Sequence, residues 1–156
     1  MAAVIIDIEA SGLHPDSYPI QIAWVTLDGS AQDCFYILPA DHWTYWDELA
    51  EEVHGITRER LLDEGVTVTS ACRRLSGALA GHKLYSDASA FDQFWIHSVF
   101  QSTGMLPPLD PVNDVTELVQ PGDRADLVER LLNQSHEHHA LADAEAVADA
   151  IRELWR

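Results

Sequence analysis

The sequence predicts an α/β fold: a mixed β-sheet with helices packed on its faces. Three observations carry this prediction. A run of β-branched residues opens at Val4, and two further strand-like segments follow it, joined by short turns. The remainder of the chain then alternates helical patterns with two short strand-like pieces. At 156 residues, a single domain spanning 1–156 is expected, long enough to bury a substantial core.

Val4, Ile5, Ile6 and Ile8 have the character of a strand covered on both faces. Asp7 and Glu9 interrupt the run. Residues i and i+2 of a strand point the same way, so both carboxylates face one spot. Burying two like charges there is unfavourable unless a cation lies between them. A lone D-x-E is better explained by two solvated acids at a strand end. Ser11-Gly12 ends the strand, and His14 to Pro19 forms a turn-rich loop.

Ile20 to Leu27 predicts a second strand, Asp28-Gly29 a hairpin turn, and Cys34 to Leu38 a third strand ended by Pro39. Short connections of this kind imply an antiparallel meander. Asp41 to Leu62 is helical in pattern, with Trp43, Trp46, Leu49 and Val53 at intervals of three or four. Within it, Gly55 is placed to end one helix and Thr57 to cap the next. Val66 to Ala80 predicts an amphipathic helix, Lys83 to Ser86 a short strand, and Asp87 to Phe100 an aromatic-rich helix. After a Pro-rich connection, Val112 to Val115 predicts the last strand, followed by a helix through Leu118 and another from Asp123 to Leu132. Leu141, Ala144, Val147, Ala148, Ile151, Leu154 and Trp155 mark one apolar face of a final helix.

The formal net charge is −17, with only nine Lys and Arg residues. That balance argues against a protein that coats duplex nucleic acid, whose affinity comes largely from basic contacts to phosphates. Two uses of the acids remain: a solubilising surface, or local gathering of cations. No apolar stretch approaches a membrane span and the N-terminus lacks a basic leader region, so no membrane partner and a cytoplasmic location are expected. Cys34 and Cys72 lack metal-ligand spacing and are expected to be reduced structural thiols.

Two further acids sit on predicted helix faces. Asp92 lies in the first turns of the helix after Ser86, where a carboxylate also serves the helix dipole. Asp143 lies beside Leu141 and Ala144 on the last helix, where an unpartnered carboxylate is costly. His136, His138 and His139 cluster just before it. A zinc site is conceivable, but no second Cys or His cluster supplies its remaining ligands. An imidazole near carboxylates that hold a hard cation suits removal of a proton from water.

Taken together, Asp7-Ile8-Glu9-Ala10-Ser11-Gly12-Leu13, Val53-His54-Gly55-Ile56-Thr57, Phe91-Asp92 and His138-His139-Ala140-Leu141-Ala142-Asp143-Ala144 resemble the DEDD exonucleases. Within these, the spacing is similar to the DEDDh branch of proofreading subunits, oligoribonuclease and ribonuclease T. The resemblance implies a ribonuclease H-like fold with a five-stranded mixed sheet flanked by helices. It implies that Asp7, Glu9, Asp92 and Asp143 hold two divalent cations, Mg²⁺ or Mn²⁺, which suit carboxylate oxygens. His138, ahead of its rivals His136 and His139 by spacing, would be the general base. Ala10, Ser11 and Gly12 would contact the terminal nucleotide, with the Ser11 hydroxyl near its 3′-OH. Leu13 would wedge against the last bases, and His54 and Phe91 would line the same cleft; core packing is an equal expectation for Leu13 and Phe91.

The implied activity is metal-dependent 3′–5′ hydrolysis of single-stranded DNA or RNA ends, releasing nucleoside 5′-monophosphates. The alternatives are a non-catalytic acidic accessory domain on the same fold, or a metal-binding module built on the His cluster. A homodimer is a further expectation by analogy. One departure stands out: Ala88 occupies the position where the family usually has Asn, leaving Ser86, Asp87 or Ser89 to supply a polar contact.

Overall fold

The computed structural model describes residues 2–135 and 137–156. Its centre is a five-stranded mixed sheet in the order β3-β2-β1-β4-β5. The strands are β1 (Ala3–Ala10), β2 (Pro19–Thr26), β3 (Gln32–Tyr36), β4 (Lys83–Ser86) and β5 (Val112–Asp114). β1, β2 and β3 form the expected antiparallel meander, whereas β4 and β5 add parallel to the other edge of β1. The β1–β2 register pairs Asp7 with Ala23 and Glu9 with Gln21, then shifts between Glu9 and Ala10. That irregularity falls where β1 delivers its carboxylates.

Among the described residues, six α-helices accompany the sheet: α1 (Glu48–His54), α2 (Arg58–Glu64), α3 (Val68–Leu79), α4 (Ser89–Gln101), α5 (Arg124–Asn133) and α6 (Ala140–Leu154). The period-2 alternation of β1 divides the core in two. Val4, Ile6 and Ile8 pack with Leu75 and Leu79 of α3 and with Trp95, Ile96 and Phe100 of α4. Ile5 packs on the opposite face with Leu127 of α5 and with Ala144, Val147 and Ile151 of α6. Asp7 and Glu9 continue the row begun by Ile5, so they belong to the face covered by α6.

The structure differs from the sequence expectation most between Pro39 and Asp47. The helical segment expected from Asp41 to Leu62 is the two helices that Gly55 and Thr57 divide, but its first part, up to Asp47, is a loop. Trp43 matched the helical interval but is buried in that loop, its carbonyl accepting a hydrogen bond from Arg58 Nη2 at 3.0 Å. Asp47 caps α1 through Leu49 N at 2.9 Å. Gly55 does end α1, with φ 69°, and the Thr57 hydroxyl caps α2 by accepting from Arg60 N. The helix expected through Leu118 is a single 3₁₀ turn, Val115–Leu118. No helix among the described residues is long and apolar enough to cross a membrane.

Candidate active site

Asp7 and Glu9 project from the centre of the sheet toward α6, which carries Asp143 one turn from its start. Among the described residues, one group has the geometry to hold a metal ion: one oxygen from each of Asp7, Glu9 and Asp143 lies within 4.8 Å of the other two. All three side chains are half-buried. The cluster is carried by two elements far apart in sequence, and packing of α6 against β1 and β2 brings them together.

Asp92 approaches from the other face, at the start of α4, and does not join this tight trio. It is buried, and its Oδ2 accepts a hydrogen bond from the Ser86 hydroxyl at the end of β4. Ser86 Oγ also accepts from Ala88 N at 2.9 Å. Ser86 therefore makes a polar contact to the helix aspartate, and Ala88 supplies no side-chain cap to α4.

Burial first, and the charges of neighbouring acids second, favour the protonated form of these carboxyls. Burial holds the Asp7 carboxyl well above the usual carboxylate range, and the charges of Asp92, Glu9, Asp87 and Asp143 push the same way. Burial, then Asp143, pushes Glu9 up to about 8. Burial raises Asp92 to about 8 against the opposing hydrogen bond from Ser86, with Asp87 and Glu9 adding to the rise. The donor set is carboxylate oxygen throughout, which fits a hard divalent cation and suits neither a thiolate site nor a zinc site of several imidazoles.

His138 lies on the loop before α6 and has φ 56°, in the left-handed region. Residues with a Cβ occupy that region seldom, so the surrounding loop holds this conformation in place. His54, at the end of α1, is close enough to feel it: burial lowers the His54 imidazole, His138 adds to the lowering, and Glu51 opposes it. His54 Nδ1 accepts from Ile56 N at 3.0 Å, which leaves the proton on Nε2; that nitrogen is buried without a partner among the described residues. His139 is exposed, and His136 lies outside the described residues.

Leu13 is 78% exposed and Phe91 53%, so both stand at the surface rather than in the core. Ala10 is half-buried beside them and Gly12 is buried. A Cβ on Gly12 would lie 2.9 Å from Asp47 Cβ and 3.2 Å from the Tyr45 ring. Only glycine allows the two loops to approach this closely. Ser11 differs from its expected placement. Its hydroxyl is fully buried and accepts a hydrogen bond from Tyr18 N at 3.1 Å, while Ser11 N donates to Tyr18 O. The hydroxyl faces inward because the loop from Ser11 to Tyr18 closes on itself.

Gln21 was missed by sequence reasoning. It is 1% exposed, in a strand buried along its whole length, and stands opposite Glu9. Its Oε1 accepts from Ala140 N at 3.1 Å, and its Nε2 donates to His139 Nε2 at 3.2 Å. Gln21 thus caps α6 and ties down the loop bearing His138. The available signal was a single amide within the apolar run Pro19-Ile20-Gln21-Ile22-Ala23-Trp24-Val25, where a buried polar group requires partners.

A sheet of this topology with a carboxylate trio at its central strand defines a nuclease-like class, and the comparisons with known proteins agree. The family model for exonucleases typified by ribonuclease T matches residues 4–151, and the chain belongs to this family. Among solved structures, it is similar to Escherichia coli exonuclease I in complex with a dA16 oligonucleotide, with TM-score 0.75 and 18% identity over 95% of this chain and 39% of that one. The zinc-bound form of the E. coli exonuclease I complex with single-stranded DNA gives TM-score 0.77 and 19% identity over 98% and 40%. Exonuclease I from Methylocaldum szegediense gives 0.70 and 17% over 97% and 40%. These structures share the fold, and the chain spans about 40% of their length. No curated protein matches the sequence.

Proposed function

We propose that the chain is a metal-dependent 3′–5′ exonuclease that removes nucleoside 5′-monophosphates from single-stranded DNA or RNA ends. The observation that supports this reading most is the convergence of Asp7, Glu9 and Asp143 within 4.8 Å, in a chain of the exonuclease family. In this reading Asp7, Glu9, Asp92 and Asp143 would hold two divalent cations, Mg²⁺ or Mn²⁺. Such ions neutralise charge on both the attacking and leaving oxygens and make water easier to deprotonate.

The chain's own groups supply the rest. His138 accepts the proton of the water that attacks the terminal phosphorus. The bond from phosphorus to the 3′-oxygen of the preceding nucleotide breaks, and that oxygen leaves as a hydroxyl after taking a proton from solvent. Gln21 fixes the loop that carries His138, whose backbone sits at φ 56°. His54, with its Nε2 proton unclaimed and His138 nearby, offers a donor to a phosphate oxygen. Ala10 and Gly12 present backbone to the terminal nucleotide, while Ser11 supports that loop from inside. Leu13 and Phe91 offer apolar surface to the last bases.

The test is calorimetric titration of Mn²⁺, paired with cleavage of a labelled oligonucleotide, for the wild type and Asp143→Asn. The wild type is expected to bind the ion and cleave; Asp143→Asn is expected to lose both while melting normally. Cleavage retained by Asp143→Asn would reject this site.

A further inference from the structure

Leading away from the carboxylates, a groove runs between α4 and the loops at residues 13–17 and 42–45. Its near part is an apolar hollow of about 530 Å³ containing Leu13, Phe91 and Phe94. The far part is a larger, more polar hollow of about 740 Å³ containing His42, Tyr45, His97 and Gln101. Pro15 and Phe94 line both hollows, and the His14 ring stacks on Tyr45 across the junction, at 4.4 Å and 17°. From Phe91 to Gln101 the groove follows eleven residues of α4, or about 15 Å.

Three properties single out its occupant. Phe94 is 49% exposed and continues the strip of Leu13 and Phe91, which makes an unusually apolar run for so charged a surface. The strip leads directly from the candidate active site, since Phe91 adjoins Asp92. The groove also avoids the chain's dominant charge, because Asp16 is the one acid lining either hollow. By contrast, Asp126, Glu129, Asp149 and Glu153 line a second surface hollow, and Glu48, Glu51, Glu52 and Glu59 a third. Either of those would repel a polyanion. Imidazole, hydroxyl and amide groups at His42, Thr44, His97, Ser98 and Gln101 can donate hydrogen bonds to phosphate without a Lys or Arg side chain.

We propose that this groove binds the single strand upstream of its terminal nucleotide, with bases against Phe94 and backbone phosphates against His97 and Gln101. The inference rests on the exonuclease reading and extends it from the reacting end to the body of the substrate. A length of about 15 Å accommodates about four nucleotides at the per-strand rise of stacked DNA.

The experiment measures binding of 5′-labelled hexathymidylate and dithymidylate by fluorescence anisotropy, with Ca²⁺ replacing Mg²⁺. It uses the full chain and the variants Phe94→Ala, Phe94→Trp and His97→Ala. The wild type is expected to prefer the hexamer. Phe94→Ala should lower the hexamer-to-dimer affinity ratio about tenfold, the size of one lost base stack, and Phe94→Trp should restore it. His97→Ala should lower the ratio by a smaller factor. A wild type with no preference for the hexamer, or a ratio unmoved by both alanine variants, overturns the proposal. So does a Phe94→Ala variant whose sedimentation changes while its ratio does not, which would make the strip a contact between copies of the chain. Parallel digestion in Mg²⁺ separates the two claims: hexamer binding that depends on Phe94 without cleavage leaves the groove standing and defeats the exonuclease reading, and cleavage with an unmoved ratio does the reverse.

Discussion

His138 shows what a single residue contributes here and how much of that the sequence discloses. Its spacing from Asp143 marked it ahead of its neighbours, but spacing carries no backbone angle, and φ 56° emerges only from the folded loop. In the proposed role of general base, its loss should remove proton transfer and leave the carboxylates intact. His138→Ala is expected to lower kcat about 10²- to 10⁴-fold with Mn²⁺ affinity nearly unchanged, measured by steady-state cleavage and titration. An equal loss in both would make His138 a ligand instead. Ser11 carries the opposite lesson. The motif places its hydroxyl at the substrate, whereas the fold spends it on Tyr18 N, a contact seven residues along the chain that local pattern does not encode.

At the scale of elements, the site is an agreement between β1, β2 and α6. The apolar runs of β1 and α6 were legible because burial imposes their periods directly. The join between them was not, because it passes through Gln21, whose partners lie about 120 residues away. Gln21→Leu would leave Ala140 N buried without an acceptor, at a cost of about 1–3 kcal/mol. It should therefore lower the melting temperature and reduce kcat through the displaced His138 loop, while Gln21→Glu, which keeps the acceptor, should recover part of the stability. Thermal melts of the two variants check this; equal loss from both would show that packing, not the cap, is what matters. The misread segment from Asp41 to Asp47 has a similar cause. Trp43 and Trp46 keep helical spacing, yet the Arg58 contact to the Trp43 carbonyl holds Trp43 in a buried loop.

Across the whole molecule, an acidic chain concentrates mutually repelling carboxylates at one buried point. The unfolded chain releases these protons near pH 4, whereas Glu9 and Asp92 keep theirs until about 8 and Asp7 is raised as well. Between those values the folded state binds more protons than the unfolded one, so metal-free stability must fall as pH rises. Thermal melts in EDTA should show a decline from pH 5 to pH 8 that Mn²⁺ reduces and that Glu9→Gln flattens. A metal-free melting temperature indifferent to pH would contradict the strained cluster.

The fold class and the order of most elements could be read from the sequence, because each depends on local period or spacing. The orientation of Ser11, the bridge through Gln21 and the groove beyond Phe91 depend on contacts between distant segments. The central claim, that this cluster drives exonucleolytic cleavage from the 3′ end, is most directly tested by digesting a 5′-labelled single-stranded oligonucleotide with Mg²⁺ and resolving the products over time. The account predicts a ladder shortening one nucleotide at a time from the 3′ end, with nucleoside 5′-monophosphates released and the reaction stopped by EDTA. An intact substrate, internal cuts, or immediate release of the labelled 5′ nucleotide would contradict it.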